Sequence, residues 1–392
     1  MEQARYTYRF YPTQEQKMQL SQTFGCTRFV YNWGLRAGLD ALKHNDTLPS
    51  PSALDKKLTT LKQSPEFGWL QHVSCVPLQQ ALRDLGQAWS NCFAGRARRP
   101  KFKRKYGAQS ARYTKRGFSY RSGQVKLAKM SQPLEVRWSR PLPCEPSSCT
   151  VMRDVLGRYH ISFVVEVHPE TKAPCDQEVG LDLGLTHFVI LSDGEKVDNP
   201  AFLKKDLKRL ARAQRALSRK KKGSRNRLKA KRRVARIHAQ IADKRRDFLH
   251  KLSTRLVDEN QALAVEDLHV KGMIRNRRLA RAISDAGWGM FVGMLEYKCA
   301  WYGRRFVKVE RFYPSSKTCS SCGHKLAELK LDVRSWRCPS CGVVHDRDVN
   351  AARNIAGAAG LAVGEVCGEG AAVGGEQLRL FASCKSLRCA SS

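Results

Sequence analysis

Apolar and polar positions alternate over residues 5–11, the pattern of a strand with one buried face, and Pro12 ends the run. Thr13-Gln14-Glu15-Gln16 then has the form of a capping box. It predicts a helix carrying Met18, Leu20 and Phe24, followed by a second helix presenting Cys26, Phe29, Val30, Trp33 and Ala37. Pro49-Ser50-Pro51 breaks that pattern. From Pro77 onward, Leu78, Ala81, Leu82, Leu85, Trp89 and Phe93 fall on one face of a further helix. Residues 13–95 therefore read as a small helical domain. Strand-like segments follow, the clearest over 159–167, and together with the first strand they are expected to close a barrel.

The periodicity changes near residue 179. Residues 179–184 run into an apolar stretch at 187–191 that turns at Ser192-Asp193-Gly194, a hydrophobic hairpin whose first strand holds one carboxylate, Asp182. Two amphipathic helices come next. Leu207, Leu210, Ala213 and Leu217 mark the first, and Val234, Ile237, Ile241, Phe248 and Leu252 the second, with the turn at Gly223-Ser224. Residues 262–268 predict a buried strand ending in Glu266 and Asp267. A helix presenting Trp288, Phe291, Leu295, Cys299 and Tyr302 and a strand over 305–312 complete an alternation of strands and helices that marks an α/β domain. Past residue 357 the chain is rich in Gly and Ala and loses its period, so the tail over 359–392 is expected to be disordered.

Length and charge narrow the function. A chain of 392 residues is too long for one ordinary core. Its 71 Lys+Arg against 35 Asp+Glu leave +36, an excess that calls for a polyanionic partner. The chain lacks a run of 18 apolar residues, which argues against a membrane span, and residues 1–5 lack the apolar core of a secretory signal. Residues 204–251 alone contain 21 Lys+Arg against three acids, far from the balanced charge of an ordinary solvated helical face. Residues 96–129 carry 13 Lys+Arg, no acid, and the interleaved rings Phe102, Tyr106, Tyr113, Phe118 and Tyr120. Such rings either stack on unpaired bases or face a barrel core, and different rings can do different things. The expectation is a soluble, intracellular, nucleic-acid-binding protein of several domains.

Two constellations carry chemistry. Cys319 and Cys322, then 15 residues, then Cys338 and Cys341, give two CxxC knuckles, each followed by a glycine (Gly323, Gly342). Two such knuckles complete a tetrahedron of thiolates around Zn²⁺ and leave no open position, so the ion would be structural. Four sulfurs suffice, which reads His324 and His345 as non-ligands, and the other ten cysteines as free thiols rather than a disulfide framework. The second constellation is Asp182, Glu266 and the pair Asp346 and Asp348, all in apolar settings. A carboxylate in a buried strand is costly without compensation, and Mg²⁺ held by a few carboxylates is one answer. Two ions about 4 Å apart can activate water and stabilise a leaving oxygen. Solvated or salt-bridged acids at strand ends are the other reading, and spacing alone leaves both open.

With those motifs in hand, the chain resembles a family. VGLDLGLTHFVILSDG, ALAVEDL, the SKTCSSCG and WRCPSCG knuckles and HDRDVNAARNI, in that order, together with YRFYPTQEQ and FGCTRFVYNWGL near the start, resemble the TnpB (OrfB) proteins of insertion sequences over roughly residues 1–358. The resemblance implies a multidomain α+β protein. Its RuvC-like, RNase H-like α/β nuclease domain (177–198, 258–312 and 346–358) would be split by a basic helical insertion (199–257) and a zinc ribbon (313–345). An oligonucleotide-binding β-barrel, or wedge, domain (1–12 and 96–176) would be interrupted by a helical recognition domain (13–95). It implies Asp182 and Glu266 as the first two catalytic, Mg²⁺-binding acids, with Asp348 as the third and Asp346 as the alternative. Cys319, Cys322, Cys338 and Cys341 would be the structural Zn²⁺ ligands. The implied activity is RNA-guided cutting of double-stranded DNA that matches the guide beside a short transposon-associated motif, with a guide RNA from the transposon end, in a prokaryotic cytoplasm at the nucleoid. A non-catalytic guided regulator and a strand-joining transposase are the alternatives.

Overall fold

Strand β1 (Glu2–Phe10) leads through Pro12 into a helix that opens as the sequence predicts. The Thr13 hydroxyl accepts from the Gln16 amide at 3.2 Å while the Gln16 side chain accepts from the Thr13 amide at 3.1 Å. The helix, α1 (Gln14–Lys43), is one continuous element of 30 residues and not two. Its apolar stripe changes partners along the way: Leu20 and Phe24 join the core of the first sheet, whereas Val30, Tyr31 and Leu35 pack among the following helices. Met18 is exposed. Ser50 caps α2 (Pro51–Leu61), and Ser74 caps α3 (Cys75–Phe93), which therefore begins before Pro77. Leu78, Ala81, Leu82, Leu85 and Trp89 form the buried face of α3, and Phe93 lies exposed at its end. The computed structural model describes residues 2–169, 171–330 and 332–362. The tail expected to be disordered lies outside them from residue 363.

The first sheet has the order β2-β6-β7-β1-β5 and is antiparallel throughout, with β2 (Gln109–Thr114), β5 (Val136–Arg137), β6 (Ser148–Arg153) and β7 (Tyr159–Val167) around β1. β1 pairs with β7 from Glu2↔Val167 to Phe10↔Tyr159, so strands far apart in sequence are neighbours and the helices lie between them in the chain. A hairpin of β3 (Phe118–Arg121) and β4 (Gln124–Leu127) adds Val125 and Leu127 to the same core. The interleaved rings divide here. Tyr113 is fully buried, and Phe118 and Tyr120 pack against the core. Phe102 and Tyr106 stay exposed.

The second sheet has the order β10-β9-β8-β11-β12, formed by β8 (Glu178–Asp182), β9 (His187–Leu191), β10 (Lys196–Asp198), β11 (Ala262–Glu266) and β12 (Arg305–Val309). β8, β11 and β12 run parallel, and β9 runs antiparallel to its neighbours β8 and β10. Helices cover both faces, which explains the near-continuous apolar strands. Between β10 and β11 the chain forms α4 (Phe202–Ser218) and α5 (Arg225–Glu259); α6 (Val270–Met273), α7 (Ala280–Ala286) and α8 (Trp288–Tyr302) precede β12. Val179, Leu181, Leu263 and Val265 point at α5 and α8, where Leu249, Leu256, Phe291 and Leu295 meet them. The alternate residues Ala262 and Ala264 face α9 (Arg347–Ala358), packing with Ile355 and Ala356. The strand expected over 305–312 stops at Val309, and Phe312 is exposed.

The basic helices form the expected hairpin: Leu210 and Ala213 pack on Ile237 and Ile241, Gly223 turns the chain at φ +86°, and Ser224 caps α5. The last turns of α5 leave the hairpin and enter the core of the second sheet through Leu249, Leu252, Leu256 and Val257. Arg245 on α5 pairs at 2.5 Å with the buried Asp285 of α7, whose other oxygen accepts the Leu203 amide at 2.8 Å. Between β12 and α9, strands β13 (Ser335–Arg337) and β14 (Val344–Asp346) form a two-stranded ribbon.

Candidate carboxylate site and cysteine centre

Register and strand parity bring the acids together. Leu181 of β8 faces Val265 of β11 in a parallel ladder, so the next residues, Asp182 and Glu266, end adjacent strands about 4.8 Å apart. Asp182 has the parity of Gly180, and Glu266 that of Ala262 and Ala264, which places both on the face that α9 covers. α9 can lie close to β8 because residue 180 is glycine: a Cβ there would strike the Ala352 carbonyl oxygen and lie 2.7 Å from the Ala356 nitrogen. Ala352 is one turn on from Asp348, so the same contact brings the first turn of α9 to the end of β8.

The electrostatics report the convergence. Burial raises the Asp182 carboxyl to about 7, and the neighbouring charges of Asp348 and Glu266 add to the rise; Arg347 and the Leu183 amide oppose it. Glu266 is raised by burial and then by Asp267. Asp346 behaves differently. Burial pushes it upward, but Lys196 at 2.6 Å and the amides of Asp348 and Val349 at 3.0 and 3.1 Å outweigh burial and hold it below its ordinary value. It is the N-cap of α9, with one oxygen on the helix and the other on a lysine. Of the two candidate aspartates, the structure brings Asp348 within electrostatic reach of Asp182, which also feels Glu266, and commits Asp346 to capping. Among the described residues the Asp348 carboxylate has one weak side-chain partner, Arg334 at 3.4 Å.

The cysteines meet as the spacing requires. The Sγ atoms of Cys319, Cys322, Cys338 and Cys341 all lie within 4.8 Å of one another, with Cys319–Cys341 and Cys322–Cys338 at 3.6 Å. A tetrahedron with Zn–S bonds of ~2.3 Å has sulfur–sulfur edges of ~3.8 Å, so the set fits zinc with no position left over. The Gly323 and Gly342 amides close the two knuckles on the Cys319 and Cys338 carbonyls, both at 2.9 Å, and both glycines have positive φ. His345 is buried against Trp336 with Nε2 3.0 Å from Cys319 Sγ, touching a ligand atom from outside the set; His324 is exposed and offers only its carbonyl to the Cys319 amide. Among the described residues this is the one group with three or more ligand atoms within 4.8 Å; the three carboxylates share an electrostatic environment at wider spacing. Cys26, Cys75, Cys92, Cys144, Cys149, Cys175 and Cys299 are free thiols, and the remaining three cysteines lie outside the described residues.

The basic hairpin presents its charge to solvent. Every lysine and arginine of residues 204–251 except Arg227 and Arg245 is exposed. Several contributors to the site escaped the sequence reading: Gly180, Lys196, Arg334, Asn350 and Asn354. The asparagines left a trace, since two of these poor helix formers four apart in one helix need a reason.

Residues 162–277 match a family model described as "Probable transposase", residues 288–355 one described as "Cas12f1-like, TNB domain", and residues 1–47 one described as "Helix-turn-helix domain". A Streptomyces pristinaespiralis protein named "Putative RNA-guided DNA endonuclease" is 53% identical over 369 residues, covering 93% of this chain and 91% of its own. The similarly named InsQ of Escherichia coli is 33% identical over 384 residues, covering 93% and 95%. Among solved structures, a Cas12f1–sgRNA–target DNA complex shares the fold with a TM-score of 0.57 at 14% identity, over 88% of this chain and 83% of that one. No helix among the described residues is long and apolar enough to cross a membrane.

Proposed function

The chain belongs to the TnpB (OrfB) family, and on that premise we propose that it is an RNA-guided, divalent-metal-dependent DNA endonuclease. The observation that supports this reading is that Asp182 and Glu266 end adjacent strands while Asp182 also feels the charge of Asp348, in a chain that carries a net +36. In this reading the second sheet, with its 3-2-1-4-5 strand order, is an RNase H-like nuclease core, and the first sheet with its hairpin is a nucleic-acid-binding barrel carrying the helical domain 13–95 as an insertion.

Asp182, Glu266 and Asp348 would hold Mg²⁺, and Cys319, Cys322, Cys338 and Cys341 a structural Zn²⁺. Bound between the acids, divalent ions supply an activated water and neutralise charge developing on a phosphodiester. The rest falls to the protein. The exposed cations of α4 and α5 grip phosphates without regard to sequence, and the exposed rings of Phe102 and Tyr106 offer faces for unpaired bases. Asp182, raised to about 7, exchanges its proton near neutrality, where a bound cation would compete with it. Sequence is read by guide pairing, while the protein reads backbone shape and a short motif beside the target.

The test is incubation of the protein and its co-purifying RNA with matched duplex DNA, with Mg²⁺ or with a chelator. Cutting confined to the Mg²⁺ arm is expected, and Asp182→Ala should bind target without cutting. Undiminished cutting by Asp182→Ala removes the mechanism, and wild-type binding with no cutting in either arm favours a guided regulator.

A further inference from the structure

The face of α9 turned away from β8 is fastened to the cysteine ribbon. Asn350 is buried, and its Oδ1 accepts the Ser320 amide at 2.9 Å, while its Nδ2 donates to the Thr318 carbonyl at 2.7 Å and the Ser315 carbonyl at 3.4 Å. One turn on, Asn354 Nδ2 donates to the same two carbonyls, Ser315 at 2.7 Å and Thr318 at 2.6 Å. Ser320 lies inside the first CxxC knuckle and Thr318 precedes it, so both asparagines hold the turn that presents Cys319 and Cys322. The N-terminus of α9 is tied to the ribbon's other arm. The Arg347 amide donates to the Arg334 carbonyl at 2.8 Å, and the Arg347 guanidinium to the Lys330 carbonyl at 2.6 Å. Asp348 lies between these two sets of bonds.

We infer that the cysteine ribbon is the positioning device for Asp348, acting through Asn350 and Asn354 as positioning residues. The knuckle can serve as a fixed anchor only while its thiolates are drawn into one geometry, which a bound metal imposes. With the knuckle rigid, two buried asparagines four residues apart set the rotation and height of α9. Gly180 sets its distance from β8, and Asp348 is delivered to Asp182 and Glu266. Asn350, buried with both its oxygen and its nitrogen bonded, tolerates little displacement, which makes asparagine suited to this task despite its poor helix propensity. A ribbon that served nucleic-acid binding alone would not need a buried hydrogen-bonded seam to this helix. The inference rests on the reading that Asp348 is one of the metal-holding acids.

The test compares the full-length protein with the Asn350→Ala/Asn354→Ala variant by elemental zinc analysis, target-DNA affinity, the Mg²⁺ concentration for half-maximal cutting, and hydrogen exchange of individual amides. Zinc content and target affinity within about twofold of wild type are expected. The half-saturating Mg²⁺ should rise at least tenfold, and the amides of Asp348 and Val349 should exchange at least tenfold faster while those of β8 and β11 are unchanged. Wild-type protein stripped of zinc should show the same acceleration in α9. Should the double variant lose zinc, Asn354→Ala, which leaves the Ser320 contact intact, is read against the same expectations. Unchanged exchange at Asp348 and Val349 in a zinc-loaded variant, or an unchanged Mg²⁺ requirement, overturns the inference. Accelerated exchange together with full cutting by Asp348→Ala would show instead that the fastening is real and that the role given to Asp348 is wrong.

Discussion

Gly180 of β8 packs directly against the backbone of Ala352 in α9, with no room between them for a side chain. One turn upstream of this contact lies Asp348. Gly180→Ala is therefore expected to push the helix outward. Overpacking of this kind costs about 1–3 kcal/mol. The variant should melt several degrees lower and cut at least tenfold more slowly, with guide-RNA affinity unchanged, because α5 packs on the opposite face of the sheet from the contact. Thermal unfolding and single-turnover cleavage check both; a variant with native melting temperature and rate would contradict the close packing.

Asp182 gives the site a pH dependence with a definite sign. Folded, its carboxyl is raised to about 7 by burial and by two like charges. Unfolded, it titrates near ~3.9. Between those values the folded chain keeps a proton that the unfolded chain has lost, so stability without divalent ions falls as pH rises through that window. Asp182→Asn should remove this slope and melt roughly 2–5 °C above wild type at pH 8 without divalent ions, while abolishing cutting. Because a cation must displace the proton, the Mg²⁺ needed for half-maximal cutting should rise about tenfold for each pH unit below about 7. Melting curves and metal titrations across pH 5.5–8.5 measure each effect.

The basic hairpin makes a prediction about salt. Lys220, Lys221, Lys222, Arg232 and Arg233 are exposed, so replacing all five with glutamine should leave the melting temperature within about 1 °C. RNA affinity should weaken, and the slope of log affinity against log salt should flatten by about 0.7–0.9 for each phosphate that is no longer neutralised. Binding isotherms at four or more salt concentrations would show it; an unchanged slope would move the RNA elsewhere.

Two tyrosines in one basic stretch should separate cleanly. Tyr113 is buried in the core of the first sheet, and Tyr113→Ala is expected to cost about 3–5 kcal/mol of stability. Tyr106 is exposed, and Tyr106→Ala should leave stability unchanged while costing about 1–3 kcal/mol in binding of single-stranded nucleic acid. Denaturation and binding measured on both variants decide whether the exposed ring is a stacking face.

Much of this was legible in the sequence because the signals are local. The CxxC spacing fixes which sulfurs meet, and the apolar rows of α3, α8 and the basic hairpin report their own periods. The discrepancies arise where a residue answers to a distant partner. α1 reads as two helices because its stripe turns from the first sheet to α2 and α3 midway, which looks like a break in period. The rings at 113 and 106 are equivalent by composition, and only strand pairing with β6 buries one of them. Asp346 and Asp348 are two residues apart in a row of polar residues. What separates them is Lys196, contributed by β10 about 150 positions earlier, together with the helix start that Asp346 caps. Asn350 and Asn354 are the hardest to read forward, since their partners are backbone groups of a turn whose shape depends on sulfur ligation.

α5 runs unbroken for 35 residues, about 52 Å, from the tip of the cationic hairpin to the hydrophobic interior beneath β8 and β11. Its outer turns are densely cationic, its last turns bury Leu249, Leu252, Leu256 and Val257, and the helix is unbroken between them. The hairpin is thus no detachable accessory. A shortened version of the protein would have to retain Leu249 through Val257 to keep the sheet covered, and any load borne by the outer turns is transmitted along a stiff rod to the strands that end in Asp182 and Glu266.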